Sequence, residues 1–225
     1  EKNHLCSVTP CSLAFLGQSV DTVAFSPAAE DRVIFSIYVR NSIVIREADV
    51  TRKEILASLA NNVVTFTTQG PTLIWLENSG KLWQKDMSEN SSAQVISSLP
   101  AQAGLPSLAQ EETEYTITPI GNTLFLKEGG RLLRVDTQEK NMREVFSGTR
   151  AMAASPDQKK LAVSNGSEIW IHYIQDSQDQ PMHAQGDNVF LTRLSKNIDD
   201  LSWLSSHYLA FSSENEVKAI EIDER

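Results

Sequence analysis

Five polar residues, Asp21, Asn62, Thr113, Arg150 and Asp199, occupy one equivalent position of a degenerate pattern. Each lies four residues before an anchor: Phe25, Phe66, Ile117, Ala154 and Trp203. Gathered at one end of a fold, such a mixed set suits the binding of a cation, a sugar or a peptide terminus. Asp21 and Asp199 are its carboxylates. Two converging carboxyls, one with a raised pKa, are what glycoside hydrolysis requires. Arg150 in the same set opposes an acid role by favouring the ionised form. The second and third positions, Asn62 and Thr113, carry no carboxylate. Polar residues also favour strand starts because they form turns. Asp199-Asp200 is the sharpest local acidic pair, but two adjacent aspartates do not define a metal site.

Other chemistry has less support. There is no Gly-x-Ser-x-Gly elbow for a nucleophile and no glycine-rich phosphate loop between a strand and a helix. His4, His172, His183 and His207 are scattered. His172, in EIWIHYI, reads as a residue of a half-exposed strand face. Cys6 and Cys11, in CSVTPC, are open to a local disulfide or to two free thiols. With His4 they form H-x-C-x4-C, which lacks the second ligand pair of structural zinc. No metal or cofactor is expected. Trp75, Trp83, Trp170 and Trp203 read as core, with Trp83 in KLWQKD the best exception because its neighbours are polar.

The elements that must position these residues are strands. The five anchors recur at intervals of 41, 51, 37 and 49 residues, a scatter that loops absorb cheaply. Each anchor ends a short apolar strand, and two or three more strands follow. The first repeat reads Val20–Phe25, Arg32–Tyr38, Ser42–Glu47 and Glu54–Leu59. Gly80, Gly129-Gly130, Gly166 and Asn215 mark the turn between second and third strands in the later repeats. Repeats of about 45 residues made of strands are the signature of a β-propeller, one four-stranded blade per repeat. The expected fold is all-β, one propeller domain over residues 1–225, with inner strands starting near 20, 62, 114, 150 and 199.

The fifth repeat lacks an outer strand, and residues 12–17 (SLAFLG) read as an apolar strand preceding the first. Either that strand completes the last blade, or the chain belongs to a larger propeller. Two long connections stand out as recognition loops. Residues 100–113 should lie on the face of the polar set, and residues 175–188 on the opposite face. Asn90-Ser91-Ser92 and Asn165-Gly166-Ser167 match glycosylation triplets.

Composition narrows the partners. The 225 residues carry 20 Lys and Arg against 29 Asp and Glu, a net charge of −9. That opposes sequence-independent binding to nucleic acid and to an anionic membrane surface. No run of 18 apolar residues is long enough to insert in a bilayer. The sequence opens on Glu1, which fits a processed product or an excised ectodomain.

The segment AASPDQKKLAVSNGSEIWIHYI (153–174) resembles the TolB-like and WD40-like β-propeller repeat. Ser155, Pro156 and Asp157 match its strand-ending triplet, and Leu161, Ala162 and Val163 its second strand. Gly166, Ile169 and Trp170 match the turn and third strand. Phe25-Ser26-Pro27 and Leu201-Ser202-Trp203 are weaker copies. The Gly-His and Trp-Asp signatures of strict WD40 repeats are missing. The resemblance therefore implies a bacterial, envelope-associated propeller, in the periplasm or at the cell surface, tethered by a segment outside this sequence. It implies a non-enzymatic scaffold that binds a protein or peptide through the face bearing Asp21, Asn62, Thr113, Arg150 and Asp199. The alternatives are a carbohydrate-active propeller using Asp21 and Asp199, and a spacer without a ligand.

Overall fold

The computed structural model describes residues 14–16, 20–39, 42–88, 91–99, 113–177 and 181–222. Among them the chain is a succession of antiparallel strands with a single 3₁₀ turn. Cys6, Cys11, His4, Asn90 and the connection 100–112 lie outside the described residues. The chain divides into two compact units, residues 1–112 with 136–142 and residues 113–135 with 143–225.

In the first unit, seven strands pair in sequence order: β1 (Val20–Phe25), β2 (Arg32–Val39), β3 (Ser42–Asp49), β4 (Glu54–Gln69), β5 (Thr72–Glu77), β6 (Lys81–Asp86) and β7 (Gln94–Ser98). The outer strand of the first repeat and the inner strand of the second, expected to be separate, are one strand, β4. Its first half pairs with β3 and its second half with β5. The change of partner falls at Asn62, whose φ is 55°. Asparagine tolerates this left-handed conformation better than most residues. Ser42 secures it, accepting the Asn62 N–H at 3.1 Å and donating to Asn62 Oδ1 at 3.0 Å. The bend breaks the two-residue alternation, so Ala60 and Val63 are both buried in one cluster.

Strand β2 is apolar on both faces, and both faces are covered, as expected for inner strands. Ile34 joins Ile45, Leu73 and Trp75, while Val33 and Phe35 join Leu16 and Ala48. The segment 12–17 departs from expectation. Residues 14–16 form a 3₁₀ turn rather than a strand, and Leu16 is 5% exposed among Val33, Phe35 and Ala48. Burying one leucine against the first repeat is what this segment does. Among the described residues the last sheet ends at its own final strand.

From Thr113 onward three further sheets follow. The first comprises β8 (Tyr115–Ile120), β9 (Thr123–Glu128), β10 (Arg131–Asp136) and β11 (Asn141–Ser147). The second comprises β12 (Ala151–Ala154), β13 (Lys160–Ser164), β14 (Glu168–Tyr173) and β15 (Asn188–Arg193). The third comprises β16 (Asp200–Trp203), β17 (Tyr208–Ser213) and β18 (Glu216–Glu221). Strand β13 is buried along its whole length. Leu161 and Val163 face Phe125 and Leu132, and Ala162 faces Leu201 and Phe211.

The Ser-Pro-Asp triplet is a structural turn. Ser155 Oγ donates to Asp157 Oδ1 at 2.5 Å and accepts the Lys160 N–H at 2.9 Å. Lys160, only 5% exposed, places its ammonium 3.2 Å from Asp157 Oδ2. Burial works to raise the Asp157 pKa. The donors Ser155, Lys159 N–H and Lys160, with the Lys160 charge, outweigh it and pull the carboxyl down to about 2.

Candidate functional site

Of the five candidate residues, Asp21 and Asn62 lie within β1 and β4, while Thr113, Arg150 and Asp199 precede β8, β12 and β16. Asp21 lies on β1, exposed, accepting a hydrogen bond from Thr22 Oγ1 at 3.1 Å. The Asn62 carbonyl accepts the Asn78 N–H at 2.8 Å, beside the turn between β5 and β6. Thr113 precedes β8, and its methyl lies 3.6 Å from the position a Cβ would take on Gly129. Arg150 leads β12 and lies over Gly166. Asp199 donates its N–H to Ser212 O at 3.0 Å and lines a shallow hollow with Lys196, Asn197 and Glu214. Asn62, Thr113, Arg150 and Asp199 each stand at the end of their sheet that carries the turn between second and third strands. Asn62 and Arg150 are also occupied structurally, one tied to Ser42 and the other covering a glycine.

At this end, the glycines of three turns do more than reverse the chain. Gly80, Gly130 and Gly166 offer their carbonyls to the N–H groups of Leu99, Thr149 and Ile198 at 2.9, 2.7 and 2.7 Å. Each donor lies just beyond the outer strand of the same sheet and is buried, so the departing chain is pinned to its own hairpin.

A second recurring device is a carboxylate beside the same turn. Glu77 accepts from Ser79 Oγ at 2.5 Å and from the Trp83 indole at 3.3 Å. Glu128 accepts from the Tyr115 hydroxyl at 3.2 Å and Arg131 at 2.9 Å. Burial and the Glu128 charge and hydrogen bond together push the Tyr115 phenol up to about 12. Glu168 accepts from Trp170, Arg193 and Asn165, and Glu214 from Lys196. The hydrogen bond from Trp170, then the one from Arg193, holds the Glu168 carboxyl below the usual range. Sequence reasoning missed these residues. The signal was a glutamate ending the second strand in TLIWLE, TLFLKE and YLAFSSE.

The most open chemistry lies beside Glu168. A groove of about 450 Å³ is lined by Glu144, Val145, Phe146 and Ser147 of β11, and by Asn165, Glu168 and Trp170. Its aromatic wall is Phe146 and Trp170, and Phe190 continues the run of rings beyond the lining. Phe146 meets Trp170 edge-on at 6.0 Å, and Trp170 meets Phe190 at 5.3 Å. Phe190 is 45% exposed. Asn165 organises the floor, with Oδ1 accepting the N–H groups of Ser167 and Glu168 at 3.1 and 2.9 Å. Its Nδ2 donates to Glu168 at 2.9 Å.

Two expectations need correction. Trp83 is not an open surface platform: half-buried, it stacks on Trp75 with nearly parallel rings 6.1 Å apart and packs against the cluster of Ile34, Ile45 and Leu73. Trp170 is the tryptophan beside the groove. His172 is not on a half-exposed face but is 2% exposed, edge-on to Phe125 at 5.9 Å. Both faces of β14 are covered, so no side of that strand is left to solvent at His172. Trp203 fits the core reading, donating to Ala153 O at 2.8 Å from a half-buried position.

The connection 175–188 lies at the opposite end of its sheet from the groove. Ile174 donates its N–H to Lys159 O at 2.8 Å, beside the Ser-Pro-Asp turn. His183 stacks on Tyr173 at 4.3 Å. Asp176 and Asp187 accept the N–H groups of Gln185 and Ala184, each at 2.8 Å. Among the described residues no cluster of metal-ligating side chains occurs, and no helix is long and apolar enough to cross a membrane.

No family model matches the sequence, and no curated protein matches it. Solved structures do. Hsv2 of Kluyveromyces lactis is similar over 91% of this chain and 61% of its own, with 10% identity and a TM-score of 0.54. The computationally designed Ika8 protein is similar over 90% and 58%, with 11% identity and a TM-score of 0.57. The N-terminal domain of Nup159 is similar over 92% and 59%, with 12% identity and a TM-score of 0.50. The likeness shows the β-propeller fold. The chain spans about three-fifths of the length of these structures.

Proposed function

We propose that this chain is a non-enzymatic interaction module that binds a protein or peptide at the end of its sheets carrying the glycine turns. The observation that supports this most is the groove beside Trp170, which combines half-exposed aromatic rings with a polar floor. Such a pairing is typical of binding surfaces. A general acid for glycosidic cleavage needs a sheltered carboxyl, whereas Asp21 and Asp199 are both exposed. Glu168, the carboxylate deepest in hydrogen bonds, is held ionised. In this reading Asp21, Asn62, Thr113, Arg150 and Asp199 each add polar contacts on their own sheet. An extracytoplasmic setting, periplasmic or at the cell surface, rests on the resemblance of residues 153–174 to envelope repeats.

The test is a peptide-display selection on the folded chain, run beside Trp170→Ala. The expected result is an enriched set of sequences with micromolar affinity, retained by the native protein and lost by a variant that melts cooperatively. Absence of enrichment overturns the reading. Equal enrichment on both proteins removes the groove from it.

A further inference from the structure

Resting on that reading, we infer that the groove receives the side chain of a lysine or arginine presented by an extended peptide segment. The ligand class follows from which groups in the groove are already satisfied. Asn165 is largely spent, with Oδ1 and one Nδ2 hydrogen bonded within its own turn. Glu168 takes Arg193 on Oε1, and Asn165 and Trp170 on Oε2. The Trp170 N–H is thereby committed, which leaves the π surface of the indole. Glu144 is different. Arg131 Nε donates to its Oε2 at 2.8 Å, while Oε1 has no partner among the described residues. The side chain is 40% exposed. The Ser147 hydroxyl, also exposed, has no partner among them either.

What the groove offers is therefore one carboxylate oxygen, one hydroxyl, one amide hydrogen of Asn165 and the faces of aromatic rings. Aromatic faces attract cations, and the carboxylate oxygen asks for a donor. No lysine or arginine lines the groove, and Arg131 and Arg193 beside it are engaged with Glu144 and Glu168, so an anionic ligand finds no unpaired cation in the lining. An apolar stem ending in a cationic donor fits, with its methylenes on Phe146 and Trp170 and its head at Glu144. The net charge of −9 favours encounter with such a ligand. Side-chain insertion is also the mode the backbone permits. The Val145 carbonyl is occupied by Asn188 Nδ2 at 3.2 Å, so an added strand finds that rung of the β11 edge taken.

The test compares two acetylated, amidated nonapeptides that differ only at a central arginine or its uncharged isostere citrulline. Binding is read from the indole N–H resonance of Trp170 in the folded chain. The arginine peptide should shift that resonance and bind at least about tenfold more tightly than the citrulline peptide. Its affinity should fall as salt rises from about 50 to 500 mM. Glu144→Gln should abolish most of the difference between the two peptides. Equal binding of the two peptides overturns the inference, and does so whatever becomes of the Glu144 variant, because only the ligand is altered. Trp170-dependent display sequences without basic residues would overturn it while the binding reading stands. Shifts of Trp170 with maltohexaose or cellohexaose, and none with arginine, would reassign the groove to carbohydrate.

Discussion

His172 Nδ1 lies 2.8 Å from Asn188 Oδ1, and Asn188 Nδ2 donates to the Val145 carbonyl at 3.2 Å. The second bond orients the amide, so its oxygen faces the imidazole and must accept. Nδ1 therefore carries the proton, and Nε2 is the bare nitrogen. Nε2 is buried and has no hydrogen-bond partner among the described residues. A residue of β14 is thus joined through β15 to the outer strand of the preceding sheet.

The first prediction concerns pH. Burial depresses the His172 pKa most strongly, the Asn188 bond opposes it, and the charge of Arg134 adds to it. The folded protein therefore resists protonation that the unfolded chain accepts below about 6.5. The stability this group supports is complete above that pH and is lost as pH falls through the window below it. The slope is at most about 1.4 kcal/mol per pH unit. Urea midpoints of native protein and His172→Gln, measured from pH 7.5 to 5, should converge as pH falls. A constant difference between the two would show that His172 does not titrate on unfolding.

Asp157 has the opposite place in the pH scale. Its pKa of about 2 lies below that of an unfolded aspartate, so its contribution is present above about pH 4 and lost toward pH 2. Asp157→Asn leaves the buried Lys160 ammonium without its counter-charge and should cost about 2–3 kcal/mol at pH 7. In acid titrations followed by circular dichroism, the gap between native and variant should close below pH 4.

Gly166 is where backbone and side chain make one demand. Its φ is +103°, and a Cβ there would meet Arg150 Cδ at 2.8 Å. Gly166→Ala should destabilise by about 1–3 kcal/mol. Adding Arg150→Ala relieves the collision but not the backbone strain, so thermal melts should show partial recovery. Full recovery would mean that the φ angle carries no cost.

The bend in β4 depends on one asparagine. Asn62→Gly keeps the left-handed conformation and the backbone N–H bond to Ser42, and should lose only the bond from Ser42 Oγ to Oδ1, about 1 kcal/mol. Asn62→Ala loses the same bond and adds about 1–2 kcal/mol of backbone strain. Chemical denaturation of both variants gives the comparison; Ala no worse than Gly would refute a positive φ at this site.

The strands, the glycine turns and the Ser-Pro-Asp turn were legible in the order of residues because each depends on neighbours a few positions apart. Alternation, proline and glycine act locally, and they returned the same answer in every repeat. The fusion of two strands into β4 was hidden because one left-handed asparagine keeps a sheet continuous where a turn was expected. Residues 14–16 have an apolar strand's composition, yet their place was decided by a pocket among Val33, Phe35 and Ala48.

The groove could not be read at all. It joins Glu144–Ser147 of one sheet to Asn165–Trp170 of the next, and no local pattern records which sheets abut. Trp83 and Trp170 hold the same third position of a third strand, and each gives its N–H to a glutamate at the turn. Both are half-buried, but one stacks on Trp75 and the other borders the groove. Residue type and repeat position set what a side chain can offer; the neighbour packed against it sets whether the offer reaches a ligand.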